Sequence, residues 1–89
     1  MKKRRRFFVY VVQARDETLY TGIARDTDKR LGVHLNGAGS RYLRGRAPLK
    51  LVYREIRFGL SSALKREAEI KKLSRKQKLR LIDEDNRSE

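Results

Sequence analysis

Residues 7–23, FFVYVVQARDETLYTGI, contain two short apolar runs separated by a polar connection. The first run, Phe7 to Val12, is continuous and rich in β-branched and aromatic residues, which predicts a strand buried on both faces. The polar residues 14–17 then form a short loop, and Thr18 to Ile23 forms a second strand. The stretch therefore predicts a β-hairpin.

Each predicted strand carries a tyrosine, Tyr10 or Tyr20, and the length of the loop decides whether the two tyrosines share a face of the sheet. An odd-numbered loop would pair Tyr10 directly with Tyr20 on one face. A four-residue loop, ARDE, would place them on opposite faces. The sequence leaves both arrangements open, and packing in the core is an adequate explanation for either tyrosine alone.

The elements expected downstream of the hairpin are a helix, a strand and two further helices. They span residues 26–35, 49–56, 61–73 and 75–82. Asp26 can cap the first of these helices, and Ser61 or Ser62 begins the second. Ser74 followed by Gln77 is the capping-box signature that begins the third.

This order, ββαβαα, predicts an α+β fold in which helices flank a three-stranded, mainly antiparallel sheet. We expect one domain over residues 7–83, a basic N-terminal arm over residues 1–6 and a polar tail over residues 84–89. A chain of 89 residues is long enough for one small domain.

Charge is the strongest feature of the composition. The chain has 24 Lys and Arg against 11 Asp and Glu, a formal charge of +13. This excess predicts contact with nucleic acid, whose phosphates would supply salt-sensitive affinity. No cysteine is present, which excludes disulfides and thiolate chemistry, and one histidine cannot build a multi-histidine metal centre. No apolar run is long enough to span a membrane and the start does not resemble a signal peptide, so a cytoplasmic location is expected.

The loop predicted between residues 36 and 48, NGAGSRYLRGRAP, is basic and contains one aromatic residue. Its arginines Arg41, Arg44 and Arg46 are expected to contact phosphates, and Tyr42 to stack on an unpaired base. Packing of Tyr42 against the edge of the sheet is the alternative. The glycines of this loop do not follow a phosphate-binding pattern.

Three polar side chains fall on or beside the apolar stripes of predicted helices. Arg30 and His34 lie four residues apart on one face of the first helix. Glu67 falls in the middle of the stripe predicted to be buried in the second helix. That stripe consists of Leu60, Ala63, Leu64 and Ile70. A carboxylate there is costly unless it is paired or holds a cation, so Glu67 belongs to an ion pair with Arg30 or to a functional site.

These residues together resemble the GIY-YIG nuclease family. The segments FVY (residues 8–10) and YTG (residues 20–22) are similar to the two halves of its signature. In DTDKRLGVH, Arg30 and His34 stand at the family's arginine and histidine positions. In ALKREAEIK, Glu67 stands at the position of the metal-binding glutamate. The resemblance covers residues 7–82, and the chain is similar to small stand-alone bacterial GIY-YIG proteins.

The resemblance implies an endonuclease that hydrolyses phosphodiester bonds in DNA with a divalent metal, Mg²⁺ or Mn²⁺, held by Glu67. Arg30 would bind the scissile phosphate and stabilise its developing charge. Tyr20, assisted by His34, would orient or deprotonate the attacking water. Tyr10 would position water or phosphate through its hydroxyl.

Two positions beside these roles complete the comparison. Gly22 would let the backbone approach the site closely. The first half of the signature has Phe-Val in place of Gly-Ile, and the middle of the second half is Thr21.

DNA is expected rather than RNA, in branched, nicked or single-stranded form, and the protein is expected to be a monomer, with a homodimer left open. The alternative function is a nucleic-acid-binding module that cleaves little or nothing, and a third is docking on ribosomal RNA or a protein.

Overall fold

The computed structural model of the chain describes residues 5–25 and 49–87. Within them it contains three strands and two helices. They are β1 (Arg6–Gln13), β2 (Leu19–Arg25), β3 (Lys50–Phe58), α1 (Leu60–Lys72) and α2 (Arg75–Arg87). The helix predicted over residues 26–35 and the basic loop after it lie outside the described residues, as does most of the basic arm.

The three strands form one antiparallel sheet in the order β2-β1-β3. β1 is therefore the central strand, and Val9, Val11 and Val12 in it are completely buried. Their burial follows from the unbroken apolar run, which leaves no polar face for solvent. The α+β class and the three-stranded antiparallel sheet predicted from the sequence are confirmed.

The hairpin between β1 and β2 turns through an odd number of residues. The Ala14 amide donates to the carbonyl of Thr18, and the Glu17 amide donates to the carbonyl of Ala14, both at 2.9 Å. Glu17 has a φ of 69°, so the three residues 15–17 turn the chain and Glu17 takes the left-handed conformation that such hairpins need. The four-residue loop is therefore wrong.

This register places both tyrosines on one face of the sheet. Tyr10 lies opposite Gly22, and Tyr20 lies opposite Val12, so the two tyrosines are diagonal neighbours and are not directly paired. Residues opposite each other share a face, and alternate residues along one strand do too. Tyr10, Val12, Tyr20 and Gly22 consequently project to the same side.

The opposite face of the sheet carries the helices. Phe7, Val9 and Val11 pack there with Ala63 and Ile70 of α1. Leu60 and Leu64, predicted to be buried, are exposed. With 100° of rotation per residue, positions 63, 67 and 70 lie within about 60° of one another, whereas position 64 is turned about 100° from position 63. Leu60 is the first residue of the helix.

The two helices begin differently. Gly59, with a φ of 88°, is the N-cap of α1 and makes no side-chain cap, so the start predicted at Ser61 or Ser62 is one or two residues late. The capping box of α2 is confirmed: the Gln77 amide donates to Ser74 Oγ at 3.2 Å, and the Ser74 amide donates to Gln77 Oε1 at 2.9 Å. α2 continues to Arg87, through residues that the sequence predicted as a tail.

Candidate active site

The phenol of Tyr10 lies directly over Gly22 of the neighbouring strand. A Cβ atom at position 22 would stand 2.7 Å from the Tyr10 hydroxyl oxygen and 2.9 Å from the ring carbon that bears it. The side chain of Tyr10 is only 1% exposed, so it has little room to move aside. The backbone of Gly22 is not in the left-handed region, and glycine is therefore required by space alone.

Burial dominates the chemistry of Tyr10. Together with the negative charge that Tyr20 and Glu67 can place nearby, it raises the pKa of Tyr10 to about 12. The hydroxyl is consequently protonated at neutral pH and acts as a hydrogen-bond donor and not as a base.

Glu67 stands on α1 between the buried residues Ala63 and Ile70, on the line that faces the sheet. Its side chain is 18% exposed, whereas that of Glu69, two residues later, is 64% exposed. The two glutamates therefore lie in different environments. Lys71, one turn along the helix, places its Nζ 3.4 Å from Glu67 Oε2.

Tyr20 is half-buried and packs against the small apolar cluster of Tyr10, Val12 and Ala24 on the face opposite the helices. Within the described residues, the structure thus brings together three predicted site residues: Tyr10, Tyr20 and Gly22. Glu67 lies on α1, which packs on the other face of the sheet, and its charge adds to the raised pKa of Tyr10. The remaining predicted site residues lie outside the described residues. They are Arg30, His34, Arg41, Tyr42, Arg44 and Arg46.

Thr21, between Tyr20 and Gly22, projects to the helical face of the sheet opposite Val11. It is buried, and its Oγ1 has no hydrogen-bond partner in the described part of the chain. A buried hydroxyl without a partner costs stability, because it loses its hydrogen bonds to water. The sequence had indicated only a mild change at this position of the motif.

A cluster around Glu55 was not predicted. This carboxylate of β3 accepts hydrogen bonds from the Tyr53 hydroxyl at 2.9 Å, from Arg57 Nε at 2.9 Å and from Arg66 Nε at 2.7 Å. Burial acts to raise the pKa of Glu55, but the hydrogen bonds from Arg66 and Tyr53 outweigh it and hold the pKa below its usual range. Because Arg66 belongs to α1, the cluster ties this helix to β3.

Glu67 suits a hard divalent cation. Magnesium is commonly held by one or two carboxylates, with water and substrate phosphates filling the other positions. Among the described residues, no group of three or more His, Cys, Asp or Glu side chains could hold a metal ion. A single carboxylate such as Glu67 would leave most coordination positions to oxygen atoms of water and substrate.

Membrane insertion through the described helices is not indicated. Neither α1 nor α2 has the length and apolar character that crossing a bilayer requires.

Comparisons with known proteins identify the family and relatives of the chain. A family model described as the GIY-YIG catalytic domain matches residues 6–80. The UPF0213 protein SSP2268 of Staphylococcus saprophyticus is 49% identical over 77 residues, which cover 86% of this chain and 94% of that protein. The UPF0213 protein CPE1444 of Clostridium perfringens is 49% identical over 75 residues, which cover 84% and 81%.

A solved structure shares the fold. The solution NMR structure of the UPF0213 protein BH0048 from Bacillus halodurans superposes with a TM-score of 0.59 at 36% sequence identity. The alignment covers 88% of this chain and 83% of that one. These names state no activity, so the chemistry has to be argued from the residues.

Proposed function

Because this chain belongs to the GIY-YIG catalytic domain family, we propose that it is a metal-dependent endonuclease that hydrolyses phosphodiester bonds in DNA. The observation that carries the proposal is the packing of Tyr20 with Tyr10, whose buried phenol lies over Gly22. The sheltered carboxylate of Glu67 on α1 adds its negative charge to the environment of this phenol. Packing alone would favour apolar residues at these positions, because a buried polar group is costly without a partner or a role.

Glu67 is the residue that would hold the metal, Mg²⁺ or Mn²⁺. The bound cation would supply Lewis-acid stabilisation of charge on the phosphate and on the leaving oxygen. The side chain of Glu67 is mostly sheltered from solvent, and its position between two buried residues limits the directions in which its carboxylate can point. The role of Lys71 is to compensate the charge of this carboxylate when it is otherwise unpaired.

The two tyrosines would have different tasks. With its pKa raised to about 12, Tyr10 keeps its proton and would donate a hydrogen bond to water or to a phosphate oxygen. Tyr20 is more exposed and would orient or deprotonate the attacking water, assisted by His34. Arg30 would bind the scissile phosphate with its planar fork of donors.

Contact with the substrate would come from the high positive charge of the chain. A formal charge of +13 favours a polyanion, and Arg41, Arg44 and Arg46, with Tyr42 among them, are the proposed contacts outside the catalytic residues. We expect DNA with branches, nicks or single-stranded segments as the substrate. We also expect a monomer that acts in the cytoplasm.

The test compares wild-type protein with two single-charge variants, Glu67→Gln and Glu69→Gln. Labelled linear duplex, nicked, branched and single-stranded DNA, and a matching RNA set, are incubated with Mg²⁺, Mn²⁺ or EDTA. We expect metal-dependent cleavage by the wild type, its loss in Glu67→Gln and its retention in Glu69→Gln. Glu69 is the matched control because it lies on the same helix and is well exposed.

Binding and stability are measured on the same samples. Glu67→Gln should bind DNA as tightly as the wild type and unfold at a similar temperature, so that lost cleavage reports on chemistry and not on folding. Equal cleavage by Glu67→Gln and wild type would contradict the role of Glu67. Absence of cleavage by all three proteins, with tight salt-sensitive binding, would favour the non-catalytic binding module.

A further inference from the structure

One row of side chains runs along the sheet from Tyr10 to the end of β3. Register pairs Tyr10 with Arg54, then Phe8 with Ile56, and finally Arg6 with Phe58. All of these side chains share the face of the two tyrosines, because paired residues and alternate residues project to the same side. Successive pairs are about 7 Å apart, so Phe58 lies roughly 14 Å along the sheet from Tyr10.

Large apolar side chains in this row are open to solvent. Phe58 is 55% exposed and Ile56 is 44% exposed, although a sheet face usually buries such residues. The guanidinium of Arg54 lies 4.8 Å from the ring centroid of Phe8, so an arginine already stacks on an aromatic ring within the row. Scattered exposed hydrophobic residues need no explanation, but adjacent ones alternating with arginines form a patch.

Beside Phe58 the surface deepens into a groove of about 520 Å³. Its walls are formed by Phe58, Gly59, Leu60, Ser61, Ser62 and Lys65. The groove therefore adjoins the row at Phe58 and adds hydroxyl groups and an ammonium there.

We propose that this row, which we call the Phe58 row, is a stacking surface for the unpaired nucleotides of a single-stranded segment of the substrate. Bases stack on aromatic side chains through their flat faces, and arginines contact the phosphates that connect them. The row begins at Tyr10, so a strand that enters the active site can continue over Phe8 and Phe58. The proposal rests on the nucleic-acid contact of the proposed function but not on cleavage.

Charge decides between this occupant and a second copy of the chain. Two molecules with a formal charge of +13 repel each other, and the row itself brings Arg6 and Arg54 to the surface. A duplex is also a poor fit, because its bases are already stacked and expose mainly phosphates to a flat surface. A single strand offers phosphates to the arginines and unpaired bases to the exposed apolar side chains.

The test measures binding in EDTA, so that cleavage does not interfere and the outcome is independent of nuclease activity. Fluorescently labelled single-stranded DNA and duplex DNA of the same length are titrated with wild type, Phe58→Ala and Leu79→Ala. We expect Phe58→Ala to weaken single-strand binding by about 5-fold to 100-fold and duplex binding by less than about twofold. Leu79 is the matched control because it is a similarly exposed apolar residue on α2, outside the row.

Three further substitutions separate stacking from charge. Phe58→Tyr keeps an aromatic ring and should retain single-strand affinity, whereas Phe58→Leu, which is apolar but not aromatic, should lose it. Phe58→Ala should leave the salt dependence unchanged, since it removes no cation. Arg54→Gln should instead lower the slope of log affinity against log salt by about 0.7.

Three results would overturn the proposal. Equal losses of affinity for single strand and duplex would show a general defect in DNA binding. An equal loss of affinity in Leu79→Ala would show that the effect is not specific to the Phe58 row. Unchanged single-strand binding in Phe58→Ala, with a change in sedimentation of the protein alone, would assign the row to self-association instead. A failure to cleave DNA would leave this binding result untouched, and the two proposals therefore fail separately.

Discussion

Replacing Gly22 with alanine tests the packing on which the candidate site depends. The new Cβ would lie 2.7 Å from the Tyr10 hydroxyl oxygen and 2.9 Å from its ring carbon, about 0.5–0.7 Å inside ordinary van der Waals contact. The phenol cannot retreat easily because it is buried beside Val12 and Ala24. Overpacking of this kind costs about 1–3 kcal/mol, and each kcal/mol lowers the Tm of a domain this size by roughly 4–8 °C.

The measurement is thermal and urea unfolding of Gly22→Ala, followed by circular dichroism, with DNA cleavage measured in parallel. Cleavage should fall more than stability alone explains, since displacing a positioned group by about 1 Å can cost on the order of 100-fold. The matched background is Tyr10→Phe, which removes the contact at 2.7 Å and keeps the one at 2.9 Å. Gly22→Ala should therefore cost less stability in that background.

Two outcomes would refute this reasoning. If Gly22→Ala unfolded at the wild-type temperature, the space between Gly22 and the Tyr10 phenol would accommodate a methyl group, contrary to the distances in the structure. If Gly22→Ala cost the same in the Tyr10→Phe background, the hydroxyl of Tyr10 would not be the atom that excludes a side chain from position 22.

Three other predictions concern stability. Glu17→Gly should raise the free energy of unfolding by about 1 kcal/mol, because glycine adopts a φ of 69° without strain; an unchanged or lower Tm would contradict this. Thr21→Val should also stabilise, by about 1–3 kcal/mol, by removing a buried hydroxyl that has no hydrogen-bond partner among the described residues, and a loss of stability in urea unfolding would show that the hydroxyl is satisfied. The pKa of Glu55 is lower in the folded protein than in the unfolded chain. Its contribution to the free energy of unfolding is therefore full above pH about 4.3 and disappears as the pH falls through the pKa of the folded protein. Arg66→Ala should flatten this acid-side loss in unfolding measured from pH 7 to pH 2, and an unaltered profile would contradict the assignment.

The sequence predicted the central strand and the capping box because both signals are local. An apolar run such as Phe7–Val12 needs no knowledge of its partners, and Ser74 and Gln77 bond within a single turn. The sequence did not determine whether the two tyrosines of the hairpin share a face of the sheet, because the turn depends on the left-handed conformation of Glu17. A glycine there would have marked the three-residue turn, whereas glutamate gives no such signal.

The residues of the candidate site also divide into those that a local sequence pattern identifies and those that depend on tertiary contacts. Glu67 could be found because a charge on an apolar helical stripe stands out by periodicity. The cluster of Glu55, Tyr53 and Arg66 could not be found, since it depends on which turn of α1 crosses which residue of β3, and the spacing of residues along the chain does not contain that information. The end of α2 was missed because residues after Ile82 have no apolar stripe to extend the pattern.

The central position of β1 has a consequence during synthesis of the chain. Its first partner, β2, follows within a few residues, and a hairpin closes in about 1–10 μs. Its second partner, β3, is complete only at Phe58, and the residues after Arg25 take a few seconds to add at roughly 5–20 residues per second. Throughout that interval one edge of an apolar strand has no partner from its own sheet, and such an edge is a template for pairing with other chains. A nascent chain that stalls before Lys50 would therefore expose an unpaired edge of this apolar strand to other chains.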